Sequence, residues 1–103
     1  MNKLLLANFK SNKSVAQAHE WLLRVIDTTN WSACTNCTVA VAPSFVSLKD
    51  FYDVLQEKQT PVALCVQDVS PYPAGSYTGA IGVVNMLDLN IRYAILGHSE
   101  RRA

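Results

Sequence analysis

The chain has 103 residues, half of them hydrophobic, and a formal net charge of +1. That suffices for one modest domain with a real core, and the near-neutral balance gives no general case for nucleic acid or an acidic membrane surface. The opening apolar run Leu4-Leu5-Leu6-Ala7 is cut by Asn8 and Lys10 far short of a signal segment, and no stretch approaches a membrane span, so a soluble cytoplasmic protein is expected.

Lys3 to Ala7 is a short apolar run and reads as a buried strand. Ser14 follows as a helix N-cap, with Gln17 three residues on as its capping-box partner. Val15, Ala18, Leu22, Val25 and Ile26 recur at helical spacing and make one apolar face, flanked by Trp21. His19 reads as a solvated helix residue. Thr28 to Asn36 is small and polar, hence a loop. Thr38 to Ala42 is the second strand, stopped by Pro43.

Ser47 with Asp50 opens the next helix, and Leu48, Phe51, Tyr52 and Leu55 form its buried face. Asp50, Asp53, Glu57 and Lys58 are its wet face. Val62 to Val66 is the third strand. Gln67 to Gly79 carries Pro71, Pro73, Gly75 and Gly79, a long ordered loop of the kind that usually has a job. Ile81, Val84 and Leu87 suggest a short third helix, with Asn90 as a left-handed cap. Arg92 to Leu96 is the fourth strand.

The order is βαβαβαβ, and the strands are apolar throughout, as in a parallel sheet covered on both faces. A flavodoxin-like open sheet and a segment of a (β/α)8 barrel both satisfy that pattern. Neither G-x-G-x-x-G after the first strand nor a Walker loop occurs, so nucleotide binding has no support. Cys34-Thr35-Asn36-Cys37 is a C-x-x-C, but it precedes a strand rather than opening a helix, and no second pair exists for zinc. With Cys65, these read as small hydrophobes or thiols in a reducing compartment. The Asn12, Asn30 and Asn36 glycosylation patterns carry no weight without a secretory route.

The stretch from Tyr93 to Arg102 concentrates the chemistry. An apolar run stops at Gly97, and His98, Ser99, Glu100, Arg101 and Arg102 follow without a gap. Ser99 suits an N-cap and Glu100 the positive end of a starting helix. His98 then falls between a strand C-terminus and a helix N-terminus, where ligand chemistry occurs in α/β folds.

Gly97 to Arg102 resembles the signature around the catalytic histidine of the triosephosphate isomerase family. Asn8-Phe9-Lys10 is similar to that family's Asn-x-Lys after the first strand. Gln67-Asp68-Val69-Ser70 with Gly75-Ser76-Tyr77-Thr78-Gly79 is similar to its long third loop. The resemblance implies an α/β fold, the (βα)3β4 parallel-sheet portion of a TIM (β/α)8 barrel. Residues 1–103 would be a single N-terminal segment, roughly a half-barrel, without strands five to eight.

It also implies the interconversion of dihydroxyacetone phosphate and glyceraldehyde 3-phosphate, a step of glycolysis and gluconeogenesis, with no cofactor and no metal. The reaction passes through an enediolate. It needs a base, an electrophile on the carbonyl, a cation and a phosphate clamp. By resemblance His98 is the electrophile, Lys10 the cation that also meets substrate, and Asn8 a donor that orients it. Glu100 supports Lys10. Thr78, Gly75, Tyr77 and Arg101 fall at a subunit interface.

Three departures stand out: Ala80 where the family has an acid after Thr-Gly, Asp68 for an asparagine, and Ser11 for a bulkier residue. The family's carboxylate base lies in its sixth loop and its phosphate loops after strands seven and eight. The 103 residues alone are therefore expected to be inactive. The expected partners are triose phosphate and either further copies of the chain or a complementary C-terminal half-barrel. The alternative is a non-catalytic half-barrel scaffold that self-associates and weakly binds anions.

Overall fold

The computed structural model describes residues 3–69, 75, 81–82 and 86–96. Four strands run β1 (Lys3–Asn8), β2 (Cys37–Ala42), β3 (Ala63–Val66) and β4 (Tyr93–Ala94), with helices α1 (Val15–Thr28) and α2 (Leu48–Lys58) in the first two crossovers. All pair in parallel in the order β1-β2-β3-β4. Sequential parallel order with helical crossovers is the pattern of a (β/α) half-barrel.

α1 forms where its caps predict. Ser14 Oγ accepts from the Gln17 N–H at 3.1 Å and Gln17 Oε1 accepts from the Ser14 N–H at 2.9 Å, a reciprocal box. Ala18, Leu22 and Ile26 are buried, whereas Val15, the first residue of the helix, is exposed. Trp21 packs edge-on against Phe9, with ring centroids 4.7 Å apart, and Phe9 meets Phe51 of α2 at 5.9 Å. These rings join the strand ends to both helices around a core that includes Val41, Leu64 and Val66.

Register sets the faces. Leu5, Ala7, Val39, Val41, Leu64 and Val66 share the helix-bearing face by pairing, and Leu4, Leu6, Asn8, Ala40, Ala42 and Cys65 share the other. The opposite face carries small residues on β2 and β3, while β1 stays open on both sides. Leu4, Leu5 and Leu6 are 52%, 61% and 40% exposed. The expectation of strands covered on both faces thus fails at β1, because among the described residues nothing lies beyond that edge.

Three further differences are local. The segment Phe45–Ser47 forms a 3₁₀ turn before α2, so Ser47 sits in helical backbone, buried, and caps nothing. β4 pairs over Tyr93–Ala94 rather than Arg92 to Leu96, though the Ile95 N–H still donates to Val66 O at 3.0 Å. His19 has a partner that its sequence context does not show: its Nδ1 meets Asp50 Oδ2 at 2.9 Å, linking α1 to α2, with both side chains still partly exposed.

The turn before β4 follows its prediction. Asn90 adopts φ 54, the Asn90 N–H donates to Leu87 O, and the Ile91 N–H reaches back to Met86 O. That pair of bonds is a Schellman close, and asparagine tolerates the left-handed position it requires.

Candidate active site

The C-terminal rim of the sheet is built from the ends of β1, β2 and β3. Asn8 closes β1 opposite Ala42, the last residue of β2, and Gln67 follows Val66 at the end of β3. After Asn8 the chain buries Phe9, whose N–H continues the ladder to Ala42 O at 3.0 Å. The apolar Phe9 ring anchors the turn from below, so Lys10 is exposed immediately above it.

Lys10 takes φ 54 and Lys13 takes φ 70, both in the left-handed region that side chains with a Cβ disfavour. Such backbone costs about 1–2 kcal/mol per residue and persists only where surroundings over-determine it. Here they do. The Lys10 N–H donates to Asn8 Oδ1 at 3.0 Å. The Lys10 carbonyl accepts from Gln67 Nε2 at 2.7 Å, and the same nitrogen donates to Ala42 O at 3.0 Å. The Asn12 N–H and Nδ2 both donate to Phe9 O at 3.1 Å. Lys13 Nζ lies 6.0 Å from the Phe9 ring centroid, at the outer reach of cation–π attraction.

This arrangement holds an ammonium-bearing residue on a rigid turn at a parallel-sheet C-terminus. With Oδ1 engaged by Lys10, Asn8 keeps its Nδ2 donors for other groups. A point cation beside amide donors suits phosphate or developing oxyanion charge. Of the other residues singled out by sequence, Gly75 is exposed, and Asp68 is exposed beside Gln67. His98, Glu100, Thr78, Tyr77 and Arg101 lie outside the described residues.

In the sequence Gln67 reads only as the start of a loop motif. A polar residue directly after an apolar strand was the available signal, but its acceptors are 57 and 25 residues away in sequence. Phe9 reads in the sequence only as the variable middle of Asn-x-Lys, although its burial fixes the turn. Among the described residues no cluster of three or more His, Cys, Asp or Glu side chains is placed to hold a metal ion. All three cysteines are free, and burial pushes the Cys65 thiol up. No helix of the described residues is long and apolar enough to cross a membrane. A cleft of about 520 Å³ lies at the other end of the sheet, ahead of β3 and β4, lined by Gln59, Thr60, Asn90, Arg92 and Tyr93. It contains none of the rim residues.

A parallel sheet in sequential order, with an Asn-x-Lys turn on its C-terminal rim, has the architecture of half a (β/α) barrel. The family model described as triosephosphate isomerase matches residues 3–103, and the chain belongs to that family. It is 39% identical over 100 residues to the triosephosphate isomerase of Roseiflexus castenholzii, covering 97% of this chain and 38% of that protein. The corresponding figures for the triosephosphate isomerase of Mesomycoplasma hyorhinis are 35% over 103 residues, 96% and 40%. The chain therefore spans about two fifths of the length of these relatives.

Proposed function

We propose that these residues form the electrophile side of a triosephosphate isomerase site and bind triose phosphate at the C-terminal rim. The observation that carries this is the Lys10 turn. A strained, doubly tethered lysine stands at the end of the first strand, in a chain whose family match runs from residue 3 to residue 103. Lys10 meets the phosphate and the charge that develops on the substrate oxygen. Asn8 donates from Nδ2 and orients the same oxygen. His98, by its family signature, polarises the carbonyl, and Glu100 supports Lys10.

Proton abstraction from carbon needs a positioned carboxylate, and a general base contributes about 10²–10⁴-fold. By resemblance that base comes from the sixth loop of the barrel. The 103 residues by themselves bind substrate weakly and do not turn it over. A second reading, a half-barrel that associates with its own kind, is favoured by the open leucines of β1.

The test is titration of the chain with dihydroxyacetone phosphate, followed through backbone amide resonances. Shifts centred on Asn8 and Lys10, lost in Lys10→Met, are expected at millimolar ligand. Amide spectra unchanged in the wild type, or shifting equally in Lys10→Met, would overturn the binding role.

A further inference from the structure

Gln67 is the one described side chain that joins all three strand ends of the rim. It leaves β3, and its Nε2 spends both hydrogens on carbonyls, Lys10 O at 2.7 Å and Ala42 O at 3.0 Å. Ala42 O also accepts the Phe9 N–H at 3.0 Å, so this oxygen is held from two sides. The consequence falls on Lys10. Its peptide N–H is tied to Asn8 Oδ1 and its carbonyl to Gln67, so both polar groups of a left-handed residue are fixed by side chains.

The Asn8 tether and the two Asn12 bonds to Phe9 O are local and close the turn on itself. The Gln67 bond ties the Lys10 carbonyl to a different strand, from a half-buried side chain. A carboxylate at position 67 would present acceptors to two carbonyls, and an apolar side chain would leave both without this donor. The glutamine amide reaches both oxygens at once from one nitrogen.

We infer that Gln67 is a positioning residue for the site: its amide locks the Lys10 peptide in the left-handed conformation and thereby fixes where the ammonium of Lys10 is presented. This rests on the proposed anion-binding role of Lys10. It concerns how that lysine is held, so the two are tested separately.

The experiment uses the full 103-residue chain, isotope-labelled, with Gln67→Met, Gln67→Glu and Lys10→Met variants. The first readout is the three-bond HN–Hα coupling and Cα shift of Lys10, which report left-handed backbone without any ligand. Gln59, left-handed at φ 52 at the end of α2, serves as internal reference. The wild type shows the left-handed signature at both residues. Both Gln67 variants lose it at Lys10 and keep it at Gln59. Retention at Lys10 in Gln67→Met overturns the inference, because shape alone then suffices. Loss of the whole fold in both variants also overturns it, because the role claimed is local.

The second readout is titration with inorganic phosphate. Both Gln67 variants bind about tenfold more weakly than the wild type, as two lost hydrogen bonds allow. If phosphate affects the wild type and Lys10→Met alike, the anion role of Lys10 fails, while the backbone signature still decides the role of Gln67.

Discussion

The Lys10 N–H donates to Asn8 Oδ1 at 3.0 Å, so the proposed cation and the proposed orienting amide belong to one turn. The turn keeps Lys10 at φ 54. A left-handed residue with a Cβ costs about 1–2 kcal/mol, and glycine in its place restores about half of that after its own entropy loss. Lys10→Gly is therefore expected to raise stability by about 0.5–1 kcal/mol in urea unfolding, while abolishing phosphate binding. Gln59→Gly, at the same φ but far from the rim, is expected to gain about 0.5–1 kcal/mol and to leave binding intact. A loss above about 1 kcal/mol in Lys10→Gly would show that the lysine stabilises the fold rather than straining it.

Ser47 Oγ is buried and has no hydrogen-bond partner among the described residues. Water would satisfy that hydroxyl in the unfolded chain, so its burial costs about 1–3 kcal/mol. Ser47→Ala removes the cost with almost no change in volume. The urea midpoint is expected to rise, by about 1 kcal/mol in stability. A fall of that size would mean the hydroxyl has a partner in solution.

The His19–Asp50 pair links α1 to α2 at 2.9 Å, with side chains 38% and 31% exposed. Partial exposure keeps its worth small. A double-mutant cycle with His19→Ala and Asp50→Ala is expected to return a coupling of about 0.2–1 kcal/mol. Coupling indistinguishable from zero would place the contact among ion pairs that contribute nothing.

β1 carries the least-covered apolar surface of the sheet, with Leu5 61% exposed. An open edge of apolar side chains and unpaired backbone groups drives association. Sedimentation across a dilution series is expected to show concentration-dependent oligomers at micromolar chain. Leu5→Asp should shift them towards monomer, and Thr78→Arg should not. A compact wild-type monomer, or dissociation by Thr78→Arg alone, would locate the contact elsewhere.

Much of this architecture was legible because its causes are local. The Ser14–Gln17 box spans four residues, and the Asn90 close spans six, so a short window contains each whole mechanism. The parallel order followed from apolar runs alternating with helical periodicity. Most of what escaped was set by long-range partners. His19 looked solvated because Asp50 lies 31 residues away. Ser47 looked like a cap because Ser-x-x-Asp is a start signal, but the 3₁₀ turn at Phe45–Ser47 had already begun the helix. At the rim, Asn8 and Lys10 were legible as a motif. The left-handed backbone of Lys10 and its Gln67 tether arise only when β1, β2 and β3 align.

The most direct measurement is isomerase turnover by the purified chain, alone and mixed with a polypeptide supplying strands five to eight of a triosephosphate isomerase. No turnover is expected from the chain alone. Turnover should appear on mixing and fall to background when the chain carries Lys10→Met or His98→Ala. Robust turnover by the chain alone, or reconstituted activity indifferent to Lys10→Met, would contradict the assignment of the electrophile side to these residues.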